Sequence, residues 1–257
     1  MHWNIGNLSG KGLSRNTGTS FTGTVLMNQR YAVLRPGIQW AISWVLALLV
    51  PAMLALASAT AAAQAPAKAA TAPAAARAVL VMGDSLSAGY GLSASQGWVA
   101  LTADRIARTK PGWRVVNASI SGETTAGGAA RIDGELQRNK PAVVVIELGA
   151  NDGLRGLPLS QTRANLDRMI RSAKASGAKV LLIGMRMPPN MGRDYTQGFA
   201  DNFNALAKQH GVALLPFLLE PIATDRNAFQ ADNLHPVASV QPKLRDHVWT
   251  ALAPLLR

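Results

Sequence analysis

Ala78-Val79-Leu80-Val81-Met82-Gly83-Asp84-Ser85-Leu86-Ser87 is the stretch on which the fold turns. An unbroken apolar run that stops at a glycine is the pattern of a strand buried on both faces of a parallel sheet. Such a strand needs helices above and below it, and the downstream sequence supplies them. Gly97 to about Thr109 reads as a helix, Trp113 to Asn117 as a strand, and Thr124 to Asn139 as a helix weakened at Gly127-Gly128. Pro141 to Leu148, centred on Val143-Val144-Val145-Ile146, is the third strand. Ser160 is placed to cap the next helix, in which Leu166, Met169, Ile170 and Ala173 recur at helical spacing. A strand at Lys179 to Met185, a helix at Thr196 to His210, a short strand at Val212 to Leu215 and a helix from about Ser239 complete the series. Five strands alternating with helices predict an α/β fold with a parallel sheet. Ligands of such folds bind beyond the carboxyl ends of the strands.

Upstream the composition changes. No acidic residue precedes Asp84, and residues 36–67 carry no charge. Lys11, Arg15, Arg30 and Arg35 are followed by an apolar centre from Ala41 to Ala57, then by Ala61-Ala62-Ala63-Gln64-Ala65. Basic flank, apolar stretch and small-residue site, in that order, are the layout of a secretory signal, with cleavage at Ala63-Gln64-Ala65. Met27 gives that signal ordinary proportions. The expected organisation is therefore a disordered upstream extension at 1–26, a signal peptide at 27–65, an Ala/Pro-rich linker at 66–77 and a catalytic domain at 78–257. An uncleaved membrane anchor is the competing reading of the apolar stretch. Either reading exports the domain, to the periplasm or the medium.

The 257 residues contain no cysteine, which excludes a disulfide framework, a thiolate metal site and a cysteine nucleophile. Four histidines argue against a histidine-rich metal cluster. The net charge of +12 suggests nucleic acid or an anionic surface as partner. Four of the 26 bases and none of the 14 acids lie in residues 1–65, so the remainder carries +8. Its bases are dispersed along helices without interleaved aromatics, which disfavours nucleic acid.

Four polar segments fall at the ends of strands. Gly83-Asp84-Ser85-Leu86-Ser87 follows the first and can project a serine hydroxyl into the crevice. Asn117-Ala118-Ser119-Ile120-Ser121-Gly122-Glu123-Thr124 follows the second, where Gly122 lets the backbone approach a ligand. Glu147-Leu148-Gly149-Ala150-Asn151-Asp152-Gly153 follows the third, and a carboxamide there can donate to an oxyanion. Asp232-Asn233-Leu234-His235-Pro236 precedes the last helix, with a spacing that can bring the carboxylate to the imidazole. Each alone is also ordinary turn and capping chemistry. His210 and His247 lie on predicted helices without such a partner. Together the four segments supply a nucleophile, a base, an orienting acid and oxyanion donors, which is what acyl transfer needs.

Gly83-Asp84-Ser85-Leu86 with Ser87-Ala88-Gly89-Tyr90-Gly91-Leu92, then Gly122, then Gly149-Ala150-Asn151-Asp152, then Asp232 with His235, resemble in order the four blocks of the SGNH (GDSL) hydrolases. The resemblance spans residues 78–256 and extends to the branch with arylesterase, acyl-CoA thioesterase and lysophospholipase activity. It implies a three-layer α/β/α flavodoxin-like fold with a five-stranded sheet. It implies Ser85 as nucleophile, His235 as general base and Asp232 as its orienting acid. The implied oxyanion donors are the N–H groups of Ser85 and Gly122 and the side-chain amide of Asn151. Asp152, Gly153, Leu154, Arg155, Gly156 and Leu157, in a mobile loop, would bind the acyl group together with Met187. No metal or organic cofactor is implied. The expected partner is a small acyl ester or thioester, met by a monomer with transient contact to an anionic membrane surface. A carbohydrate acetylesterase and a non-catalytic exported ligand-binding module remain the alternatives. Two departures stand out: Asn233 replaces a common glycine, and Met187 replaces a leucine, which points to an altered chain-length preference.

Overall fold

The computed structural model describes residues 76–257, so the expected upstream extension, the signal peptide and nearly all of the linker lie outside the described residues. The chain enters at β1 (Arg77–Gly83), one residue ahead of the expected domain start. It continues through α1 (Ser85–Ala88), α2 (Trp98–Thr109), β2 (Trp113–Asn117), α3 (Thr125–Asn139), β3 (Val143–Glu147) and α4 (Ala150–Leu154). Then follow α5 (Leu159–Ala175), β4 (Lys179–Ile183), α6 (Arg193–His210), β5 (Ala213–Leu215) and α7 (Gln241–Leu252).

All strand pairs are parallel, in the order β2-β1-β3-β4-β5. This is the flavodoxin-like order, and its switch point lies between β1 and β3. Val79 pairs with Val115 on one side and Val143 on the other, and Gly83 pairs with Glu147. β1 beyond Arg77 and the whole of β3 are buried on both faces, as their unbroken apolar runs required. Each fully buried Val, Leu or Ile side chain contributes about 1.5–3 kcal/mol to this core. One helical group packs α2 against α7; the other packs α5 between α3 and α6. Leu166, Met169, Ile170 and Ala173 form the buried stripe of α5 as their spacing predicted. The expected three-layer α/β/α fold is borne out.

Several boundaries differ, α6 for one beginning at Arg193 rather than Thr196. Ser160 does not cap α5: the helix starts at Leu159 behind Pro158, whose fixed φ already turns the chain. β4 stops at Ile183, before the Gly184 that presses against the Pro216 carbonyl. The last helix is entered through a short 3-10 turn at Ala238–Val240, so α7 proper begins at Gln241. No helix among the described residues is long and apolar enough to cross a membrane.

Candidate active site

β1 ends at a glycine for a steric reason. A Cβ on Gly83 would lie 2.6 Å from both Cβ and Oγ of Ser87 and 3.0 Å from Glu147 Oε2. The chain can therefore fold back at once into α1, the single turn that begins with Ser85. Asp84 caps it, accepting the Leu86 N–H on Oδ1 at 3.0 Å. Ser85 thus sits at the carboxyl edge of the sheet, half-buried, with its hydroxyl in the crevice.

His235 comes from the irregular segment between β5 and α7. Its Nε2 lies 2.8 Å from Ser85 Oγ, and its Nδ1 lies 2.6 Å from Asp232 Oδ2. The other Asp232 oxygen accepts the N–H groups of Leu234 at 2.9 Å and His235 at 3.0 Å. Hydrogen bonds from the His235 backbone, the His235 ring and the Leu234 backbone hold the Asp232 carboxyl down at about 2. Asn233, inside this turn, has φ +57°. Glycine takes that conformation freely and asparagine more readily than most residues, so the departure from glycine is accommodated. The segment is tied down by an antiparallel bridge between Phe229 and Pro236 and by the Gln230 N–H on the His235 carbonyl at 2.7 Å. Gln230 Nε2 also reaches the Tyr90 carbonyl at 2.9 Å, while the Tyr90 ring lies 4.5 Å from the imidazole.

The second and third loops meet beside Ser85. The loop after β2 is hung on β1 by bonds from the Ala118 and Ile120 N–H groups to the carbonyls of Val81 and Gly83. Gly122 turns it with φ +79°. After β3 the chain winds into α4 rather than staying a loop, and Asn151 lies in its first turn. Asn151 Nδ2 donates to the Glu123 carbonyl at 3.0 Å and to Asp84 Oδ2 at 3.3 Å. Among the described residues, the N–H groups of Ser85 and Gly122 donate to no protein acceptor. Burial pushes the Asp84 carboxyl up to about 6, and burial together with the charge of Asp84 raises that of Glu147 well above the usual range.

A cavity of about 360 Å³ opens from Ser85 and His235, walled by Leu154, Met187, Phe217, Phe229 and Leu234. Of the seven residues expected to bind substrate, Leu154 and Met187 line it and five do not. Asp152 is turned inward, fully buried, accepting the Thr125 N–H at 2.8 Å and the Thr125 hydroxyl at 2.5 Å. Gly153 packs against Met187 and Phe199, where a Cβ would meet the methionine sulfur at 2.2 Å. Arg155 donates to the Gly122 carbonyl at 3.2 Å. Gly156 follows it outside the cavity, and Leu157 offers its carbonyl to Tyr195 at 2.9 Å. The expectation treated this segment as one loop facing the acyl group; instead Asp152 to Leu154 wind into the end of α4, and of the six residues Leu154 alone lines the cavity. Phe217 and Phe229 were missed, although they follow β5 at the same sheet edge. Glu147 was also missed, and a charge at the end of a wholly apolar strand was its signal. His210 is not without a carboxylate: its Nε2 lies 2.7 Å from Asp167 of α5, far along the chain.

The family model of the GDSL-like lipase/acylhydrolase family matches residues 81–240. The chain belongs to that family. Esterase TesA of Pseudomonas aeruginosa is 51% identical over 181 residues, which cover 70% of this chain and 90% of that protein. Thioesterase 1/protease 1/lysophospholipase L1 of Escherichia coli is 42% identical over 185 residues, 70% of this chain and 86% of the relative. A crystal structure of TesA superposes with a TM-score of 0.68 at 50% identity, covering 70% of this chain and 99% of that one. As a GDSL hydrolase the protein is an enzyme that acts on ester bonds, as the four sequence blocks implied.

Proposed function

We propose that this GDSL hydrolase is a serine esterase and thioesterase that cleaves small acyl esters and thioesters through an acyl-enzyme on Ser85. The observation that carries the reading is the chain from Ser85 Oγ through His235 to Asp232 at the mouth of an apolar cavity. The names of the relatives, which include esterase, thioesterase, lysophospholipase and arylesterase, support the substrate class.

Asp232 accepts the proton-bearing Nδ1 of His235, which leaves Nε2 as an acceptor for the Ser85 hydroxyl. Ser85 Oγ attacks the acyl carbonyl as its proton passes to Nε2. The N–H groups of Ser85 and Gly122 and the Asn151 amide stabilise the oxyanion, and one such donor is worth about 3 kcal/mol. The imidazolium, stabilised by Asp232, protonates the leaving alkoxide or thiolate. His235 then takes a proton from water, which attacks the acyl-enzyme and frees the acid and Ser85. The apolar walls formed by Leu154, Met187 and Phe217 favour an acyl chain over a sugar acetate. The enzyme acts as a monomer outside the cytoplasm, with the surplus of basic residues favouring transient contact with anionic lipid surfaces.

Ser85→Ala tests the reading. Hydrolysis of p-nitrophenyl esters should vanish while the fold, checked by circular dichroism, is kept; undiminished turnover would end this account. Comparing a chain-length series with an acetylated sugar then separates the acyl-ester reading from the acetylesterase.

A further inference from the structure

Asp84 is buried at the foot of the site and takes no part in the proton transfers above. Its two oxygens have separate partners. Oδ1 accepts the Leu86 N–H and caps α1; Oδ2 accepts from Asn151 Nδ2. The same Nδ2 donates to the Glu123 carbonyl. Both acceptors around the Asn151 amide therefore require its nitrogen end, and with only two N–H groups the amide reaches an oxyanion by sharing the one on the longer Asp84 contact. The two ends of a carboxamide have nearly the same shape, so only such polar partners decide which one faces a given site. With the ends exchanged, Oδ1 would meet Oδ2 of Asp84 and the carbonyl of Glu123, and would turn a lone pair toward a developing oxyanion.

We infer that Asp84 is a positioning residue that acts through Asn151, its carboxylate fixing the amide with the nitrogen end toward the oxyanion. This rests on the function proposed above. The isosteric change Asp84→Asn isolates it. The new side chain keeps an oxygen for Leu86 N–H, and asparagine caps a helix as well as aspartate. Its NH2 must then face Asn151 Nδ2, donor against donor. If the Asn151 amide turns over to accept it, its oxygen meets the Glu123 carbonyl. No arrangement satisfies all the partners. The charged or titratable groups facing Asp84 are Glu147 on β3, Asp152 on α4 and His235 in the loop before α7.

The test is a double-mutant cycle on a p-nitrophenyl ester. Asp84→Asn should lower kcat by about 10²-fold, the scale of a misplaced catalytic group, with KM little changed. In the Asn151→Ala background the same change should cost no more than about twofold, because the group it positions is gone. Costs that multiply, or an unchanged or raised kcat in the single variant, overturn the inference. If Asp84→Asn fails to fold, the side-chain amide resonance of Asn151 in the wild-type enzyme decides. Identified by its loss in Asn151→Ala, it should shift as pH falls through about 6, where Asp84 gains its proton, and should do so also in His235→Ala. A resonance that stays still overturns the inference. Ser85→Ala that retained turnover would instead end the proposed function, so the two failures are distinguishable.

Discussion

Ser85 and the oxyanion donors hang from the ends of β1, β2 and β3, whereas His235 and Asp232 ride on the irregular segment between β5 and α7. The first half is anchored through parallel strands in which only Arg77, Arg114 and Asn117 are exposed. Its loops are bonded back to those strands at Ala118 and Ile120. The second half has no strand of its own at the site. It is held by one backbone bridge, by Gln230 and by the turn that Asp232 builds around its own neighbours. The strand-borne half derives its precision from the core; the loop-borne half derives it from a few local hydrogen bonds.

The sharpest way to break the comparison is at His235, where the halves touch. His235→Ala removes the base and should lower kcat on the order of 10⁶-fold, measured on a p-nitrophenyl ester, with little change in Tm. Asp232→Asn comes next, at about 10⁴-fold, because the amide no longer selects the Nδ1–H tautomer. Its loss should be larger than that of Asn151→Ala, for which about 10²–10³-fold in kcat is expected, with less effect on KM. If Asn151→Ala proved the more damaging of the two, the loop-borne half would not be the more vulnerable one. Ile146→Ala addresses the other side of the comparison. It opens a cavity in the fully buried strand β3 and should cost about 2–5 kcal/mol in denaturant unfolding.

The same contrast explains what could be read in advance. β1 and β3 were legible because a strand buried on both faces leaves an uninterrupted apolar run, and every strand was placed within two residues of its observed ends. The four functional segments were legible because a parallel sheet sends all its strand ends to one edge. Contacts made by a side chain turning inward were not legible. Nothing in Asn151-Asp152-Gly153 says that one residue faces the crevice while the next is buried against Thr125, since that depends on the winding of α4. Phe217 and Phe229 lie where no periodicity marks them, and their place in the cavity wall follows only from the path of the segment after β5. The Asp167–His210 pair joins two helices whose facing surfaces their individual spacings do not specify.

The smallest effect on activity, and the most telling about the strand-borne half, concerns Glu147. Its carboxyl is fully buried, accepts the Ser87 hydroxyl at 2.6 Å and lies beside the raised Asp84 carboxyl. A carboxyl whose folded-state pKa is raised holds its proton more tightly in the native chain than in the unfolded one. Folding then loses stability as pH rises from the ordinary carboxylate range toward the folded-state value. For Asp84 that window runs from about 3.8 to about 6, and for Glu147 it begins near 4.5 and extends well above it. Asp232 carries the opposite sign. Its depressed carboxyl adds stability above about 3.8, and that stability is lost as pH falls through about 2. Glu147→Gln keeps an acceptor oxygen for Ser87 and removes the titration, so it should raise Tm at pH 7 more than at pH 5. A gain of equal size at both pH values would mean that Glu147 ionises no differently in the folded and unfolded chains. The strand-borne half would then hold its shape without a tightly held proton on Glu147 between β3 and the nucleophile turn.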